Sequence, residues 1–182
     1  MQNTSMQASS VTQKGWRWPC EKGKLAMTAA DSNAAVAALT KEMKALLIAA
    51  ARAAAANAYV PYSGFPVGAA ALTESGDIVI GVNIENASYG LTNCGERVAI
   101  QSAVARGHRV ILAVAISAPK AAGATPCGAC RQVMNEFKPV DREMYILLDN
   151  VDSVEEIRLS DLLPRAFGPR DLALAGDRHE NM

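Results

Sequence analysis

The run Val110–Ser117, Val-Ile-Leu-Ala-Val-Ala-Ile-Ser, is continuously apolar up to its last residue. It is too short for an ordinary helix and reads as a strand buried on both faces, which requires packed layers above and below it. Helical patterns flank it. Val36, Leu39, Met43, Leu46, Leu47 and Ala50 recur at three and four residues and predict a helix from about Asn33 to Ala58, capped by Ser32 or Asn33. The Tyr59–Gly64 segment stops it. Val67–Thr73 and Ile78–Ile84 then read as two strands joined by the turn Glu74–Asp77. A helix is expected from Cys94 to about Arg106, ended by Gly107. A further helix is expected from a Thr125-Pro126 start to about Lys138, followed by strands at Met144–Leu148 and Val154–Leu159. The order α-β-β-α-β-α-β-β predicts an α/β fold, three layers with a mixed sheet.

With 182 residues, 50% hydrophobic and 20% charged, the chain is long enough and apolar enough for one domain with a real core. Residues 1–30 are polar and aperiodic and read as a flexible tail, with Trp16-Arg17-Trp18-Pro19 its one distinctive cluster. The expected catalytic domain covers 31–172, and 173–182 form a C-terminal tail. Lys+Arg and Asp+Glu are 18 each, so no basic field exists to hold a nucleic-acid backbone. No apolar run reaches the roughly 18 residues that span a bilayer, and Met1–Ala26 lacks the apolar centre of a secretory signal. A cytoplasmic protein without membrane or nucleic-acid partners is expected, and its cysteines then suit metal or catalytic chemistry better than disulfides.

Chemistry concentrates in Cys94-Gly95-Glu96 and Pro126-Cys127-Gly128-Ala129-Cys130. Three thiolates, Cys94, Cys127 and Cys130, form a soft donor set suited to Zn²⁺ and leave a fourth tetrahedral position free, as in catalytic sites. Both cysteine sites fall where helices begin, where unpaired N–H groups stabilise negative sulfur. Three thiolates on Zn²⁺ give a net charge of −1, and Arg97 is the cation at hand to offset it. Glu96 is too close in sequence to Cys94 to share the ion with good geometry. It is better placed to take a proton from water at the metal and pass it on. Asn83 and Glu85 alternate at a strand end, so their side chains share a face and can satisfy a vicinal diol.

From about Leu39 to Leu172 the chain resembles the small zinc-dependent cytidine deaminases. The stretches that carry the likeness are Tyr62–Ala70, Asn83–Arg97, Pro126–Gln132 and Leu162–Pro169. The resemblance implies a three-layer α/β/α domain with a five-stranded mixed sheet, one Zn²⁺ per chain on Cys94, Cys127 and Cys130, and Glu96 as proton shuttle. It implies that Asn83 and Glu85 bind the ribose hydroxyls, that Phe65 packs against the nucleoside, and that Gly95 borders the base. It further implies that Arg97 hydrogen-bonds the thiolates and that Phe167 completes a neighbouring subunit's pocket in a homotetramer. The expected reaction is hydrolysis of cytidine, and of 2′-deoxycytidine, to the uracil nucleoside and ammonia in pyrimidine salvage. Gly95 stands where the family usually has Ala.

Other readings stay open on the residues alone. Asn93-x-x-Glu96 also fits a helix capping box. Cys127-x-x-Cys130 fits a thiol–disulfide pair, the cysteine trio fits a partner-binding structural zinc module, and the same scaffold suits a cytosine-containing antibiotic or modified nucleoside. Cys20, His108 and His179 read as incidental, Arg97 by itself as a solvated charge, and Phe65 and Phe167 by residue type as core.

Overall fold

The structure is a computed structural model and describes residues 39–168 and 171–172. Five strands form one sheet in the order β2-β1-β3-β4-β5: β1 Gly68–Thr73, β2 Ile78–Val82, β3 Ile111–Ser117, β4 Tyr145–Asp149 and β5 Val154–Arg158. Only β3 and β4 run parallel, and the other neighbours are antiparallel, so the sheet is mixed. All seven residues of the central strand β3 are buried, as its apolar run requires.

Side-chain alternation divides the core between the two faces. Helix α1, Lys41–Ala55, lays Met43, Leu47, Ile48 and Ala51 against Ala70, Leu72, Ala113, Ala115 and Leu147. Helices α2, Gly95–Ala105, and α3, Gly128–Glu136, cover the other face, where Ala99, Ile100, Ala103, Cys130 and Met134 meet Ala69, Ala71, Val79, Val114, Ile146 and Leu148. The three layers match the expected architecture. Helices α2 and α3 bring both cysteine-bearing starts to one side of the sheet.

Small residues set how closely the layers approach. A Cβ at Gly68 would lie 2.0 Å from the Ala51 carbonyl oxygen, and one at Gly81 would lie 2.2 Å from the Ala99 nitrogen. Each glycine is therefore a site where helix backbone rests directly on strand backbone.

Several boundaries differ from the sequence reading. Ser32 and Asn33 lie outside the described residues. The described helix begins at Lys41, where extended Thr40 accepts a hydrogen bond from the Met43 N–H on its hydroxyl. It ends at Ala55 rather than Ala58, because Tyr59 turns to bridge Ile84. Strand β2 stops at Val82, and Ile84 pairs singly with Tyr59 and Asn93. Helix α3 starts from Cys127 as cap, two residues beyond the expected Thr125, and ends at Glu136. Strand β5 ends at Arg158, one residue before the expected Leu159, and Leu159–Leu162 form a short helix α4 that the sequence reading did not expect. Gly76 at φ 86° and Gly107 at φ 100° adopt the left-handed turns expected of them.

Candidate active site

Cys94 is the N-cap of α2 and Cys127 the N-cap of α3, both extended, and neither uses its side chain to cap. Their sulfurs are therefore free to turn towards each other. Cys130 sits on the first turn of α3 and is fully buried. The Cys127 Sγ lies 3.9 Å from that of Cys94 and 3.4 Å from that of Cys130. All three sulfurs fall within 4.8 Å of one another, and no other His, Cys or carboxylate joins the group among the described residues.

The trio fits a zinc ion. Tetrahedral bonds of about 2.3 Å place sulfurs about 3.8 Å apart, a spacing the two measured distances bracket. Arg97 reinforces the fit. Its Nη2 donates to the Thr92 carbonyl at 2.8 Å and to Cys94 Sγ at 3.8 Å, while its buried Nε has no partner among the described residues. A half-buried guanidinium hydrogen-bonded to one sulfur of the cluster suits thiolates better than neutral thiols. The Cys94 thiol is already pulled down to about 5, first by its hydrogen bond with Cys130 and then by Arg97 and Cys127. Cys130 moves the opposite way, pushed up by holding the shared proton against Cys94 and by burial. A cation taking the place of that proton would let all three ionise together.

Glu96, at 4% exposure, is the buried carboxylate of the site. Burial pushes its carboxyl above the ordinary range, with the N–H groups at the helix start opposing. Its position on the first turn of α2 follows from Cys94 being the cap, so the Asn93-x-x-Glu96 capping box does not form. Gly95 brings this turn onto the sheet. A Cβ there would meet the Val67 carbonyl oxygen at 3.1 Å and the Asn83 nitrogen at 3.4 Å.

Asn83 and Glu85 lie just past β2 rather than within it. The Asn83 amide accepts from Val67 N–H at 2.8 Å and donates to the Phe65 carbonyl at 2.8 Å. One oxygen of Glu85 accepts from the N–H groups of Tyr62 and Ser63 at 2.9 and 3.2 Å. Hydrogen bonding by Ser63 is the main cause holding the Glu85 carboxyl below its usual range. Both side chains thus shape the 59–67 loop, and Lys120 grips the same loop through the Gly64 carbonyl at 2.5 Å. Phe65 is 36% exposed on that loop.

Phe167 stands apart from the cysteines in sequence and is 61% exposed. Its carbonyl oxygen accepts from Gln132 Nε2 and Asn135 Nδ2, both at 3.0 Å. Arg131, next to Cys130, donates to the carbonyls of Pro126 at 2.8 Å and Leu162 at 2.9 Å. Arg131 and Gln132 lie within the Pro126–Gln132 motif with no role legible from sequence, and Asn135 and Lys120 lie outside every motif. The signal in the sequence was an amide pair three apart on one helix face, which gains meaning only once the C-terminal segment is seen beside it. His108 is less incidental than expected: it faces Ser75 Oγ at 3.4 Å and Asp77 at 3.7 Å, on the hairpin turn. Cys20, His179 and the Trp16–Pro19 cluster lie outside the described residues.

Residues 41–147 match the family profile described as the cytidine and deoxycytidylate deaminase zinc-binding region. The chain belongs to this family. A cytidine deaminase of Halalkalibacterium halodurans is 49% identical over 128 residues, covering 70% of this chain and 96% of that one. A cytidine deaminase of Sporosarcina psychrophila is 47% identical over 133 residues, covering 72% and 96%. The crystal structure of cytidine deaminase from Burkholderia pseudomallei superposes with a TM-score of 0.63 at 46% identity, covering 68% of this chain and 98% of that one. Membership makes this a zinc-binding deaminase fold, and Cys94, Cys127 and Cys130 are the group positioned for the ion.

Proposed function

We propose that the protein hydrolyses cytidine and 2′-deoxycytidine to the corresponding uracil nucleosides and ammonia, using one Zn²⁺ per chain. The observation that carries this reading is the cluster of three cysteines at two helix starts with buried Glu96 on the adjacent turn. The relatives at 46–49% identity, all cytidine deaminases, support the substrate class.

Cys94, Cys127 and Cys130 would hold the ion, and Arg97 would offset the surplus negative charge of three thiolates. Bound zinc would supply a nucleophilic water at neutral pH by lowering its pKa. Glu96 would take a proton from water as the water oxygen attacks C4 of the base, and would deliver that proton to ring N3. Glu96 then carries the second proton to the departing amino group, which leaves as ammonia. Its burial, which favours the protonated form, suits a group that must both take and give a proton near neutral pH. Asn83 and Glu85 would meet the ribose hydroxyls beside the loop they organise, Phe65 would pack on the nucleoside, and the Gly95 backbone would border the base. Because the loss of one hydroxyl leaves a polar group unpaired, this pairing favours cytidine over 2′-deoxycytidine as the substrate.

The reading includes a cytoplasmic homotetramer, acting in pyrimidine salvage, in which Phe167 completes a neighbour's site. Tyr59, Tyr62, Tyr89, Leu91 and Phe167 are all more than half exposed, and the rings of Tyr62 and Tyr89 stand 6.0 Å apart; subunit contact would cover such side chains. No described helix is long and apolar enough to cross a membrane.

The test is Glu96→Ala, assayed by the absorbance change of cytidine, by ammonia release and by zinc content. Zinc stays at one per chain while turnover falls at least ~10²–10⁴-fold. Near-normal turnover in this variant would refute the assignment, and wild-type zinc without any turnover on a nucleoside panel would leave a non-catalytic module.

A further inference from the structure

We infer that Gln132 and Asn135 are positioning residues, whose two amides grip the Phe167 carbonyl so that its ring is held out from the subunit that makes it. The inference rests on the reading that Phe167 serves a neighbouring site. The two residues are three apart on α3 and therefore share a face. Each donates to the same oxygen at 3.0 Å, filling both lone pairs of that carbonyl. Asn135 is only 4% exposed, so one half of the grip is fixed in the core, while Phe167 is 61% exposed. The backbone is anchored and the side chain projects.

Two further features belong to the same device. The chain passes Asn135 at Gly168, where a Cβ would lie 2.8 Å from the Asn135 amide nitrogen. A side chain at 168 would push the amide off the carbonyl. Gly168 N–H also donates to Asp171 Oδ2 at 2.6 Å, and Asp171 N–H donates to the Gly168 carbonyl at 2.9 Å. Arg131 ties the same helix to Leu162, five residues before Phe167. Helix α3 therefore carries metal-ligand positions at its start and the anchor of Phe167 one turn later. A rigid element holding both keeps the ring of one subunit in fixed relation to its own zinc-ligand helix, and through the assembly to its neighbour's pocket.

The test is steady-state kinetics on cytidine with the full-length zinc enzyme. Gln132 is exposed, so Gln132→Met removes the donor without touching the core. The expected result is a KM raised about fivefold with kcat, zinc content and Tm unchanged, the signature of lost binding rather than lost chemistry. Gln132→Arg, which keeps a donor, restores the wild-type KM. Phe167→Ala raises KM at least as much, and the double variant is no worse than Phe167→Ala alone, because both changes act through one ring. If the Gln132→Met effect persists in full on the Phe167→Ala background, or if zinc content falls with it, Gln132 acts elsewhere and the inference is overturned. Wild-type kinetics for Gln132→Met and Gly168→Ala, with Phe167→Ala impaired, overturn it as well. Unchanged KM in Phe167→Ala overturns the underlying reading of Phe167 and the grip with it, while leaving the Glu96 result untouched.

Discussion

Gly81→Ala puts one methyl group where the structure has no room for it. Its Cβ would stand 2.2 Å from the Ala99 nitrogen, 2.4 Å from the Gly95 carbonyl oxygen and 2.8 Å from the Ala99 Cα, all backbone atoms of α2. Ordinary contact begins at 3.4 Å, so the first turn of α2 must withdraw by about 1.2 Å at the closest point. Backbone cannot rotate aside as a side chain tip can. Overpacking of this kind costs about 1–3 kcal/mol, or about 2–12 °C in Tm for a chain of this length. The displaced turn begins at Cys94 and carries Glu96. Metal sites tolerate about 0.2 Å in ligand distances, and a misplacement of about 1 Å in a catalytic group can lower turnover about 10²-fold. Gly81→Ala should therefore lose both stability and function.

Gly68→Ala separates the two effects. Its Cβ would lie 2.0 Å from the Ala51 oxygen and 2.5 Å from the Ala55 nitrogen, a comparable clash against α1 on the other face of the sheet. No cysteine of the cluster is on α1. The assay is a zinc titration with cytidine turnover, alongside thermal unfolding, for both variants. Both should melt earlier, but only Gly81→Ala should need more zinc and turn over about 10²-fold more slowly. Gly128→Ala, whose Cβ meets nothing within 4 Å, should change neither the zinc requirement nor the turnover. Wild-type zinc retention in Gly81→Ala, or equal zinc loss in Gly68→Ala, would show that closeness between β2 and α2 does not set the cysteine geometry.

Asp149 is 8% exposed and holds α1 to the sheet by accepting from Arg52 Nε and Nη2, at 2.7 and 2.5 Å, and from Ser117 Oγ at 2.8 Å. Arg52 first, then Ser117, holds its carboxyl down to about 2, so its contribution is full above about pH 4 and fades as pH falls towards 2. Asp149→Asn should lower Tm at pH 7 by about 2–4 °C, a modest figure because the half-exposed guanidinium is screened. It should also flatten the decline of Tm between pH 4 and 2, and an unchanged acid slope would refute the pairing. Gly95→Ala should raise Tm by about 1–3 °C, since a glycine at the first helical position costs unfolded-state entropy and the Val67 oxygen at 3.1 Å needs to give only a few tenths of an ångström. A fall in Tm on calorimetry would mean that Val67 cannot yield.

What was legible in the sequence was whatever a short stretch decides by itself. The apolar run at 110–117 could only be a doubly covered strand, and Gly76 and Gly107 could only mark turns. Cysteines next to helix starts carried their chemistry with them. Boundaries were less legible because caps compete: Cys127 rather than Thr125 began α3. Contacts between distant segments had no local signal. Arg52 and Asp149 lie 97 positions apart, and Gln132 meets Phe167 across 35. The capping-box alternative at Asn93–Glu96 fails for a physical reason. The residue that would have been capped inside the helix, Cys94, is itself the cap, and its sulfur faces the cluster instead.

That substitution of roles gives the small residues behind α2 a purpose. Neither Cys94 nor Cys127 hydrogen-bonds its own helix start, although a capping side chain is ordinarily worth about 1 kcal/mol. Two helix starts are thus left uncapped by side chains so that three sulfurs can meet. Their positions must come from packing behind them. Large side chains would hold the helices at the usual distance and allow them to rock. Ala69, Ala71, Ala99 and Ala103, all fully buried, together with Gly81, let α2 rest nearly on the sheet backbone. Backbone against backbone has few ways to repack. In this chain the small residues that make a thin core also make a rigid one, and the rigidity is concentrated under the helix that presents Cys94 and Glu96.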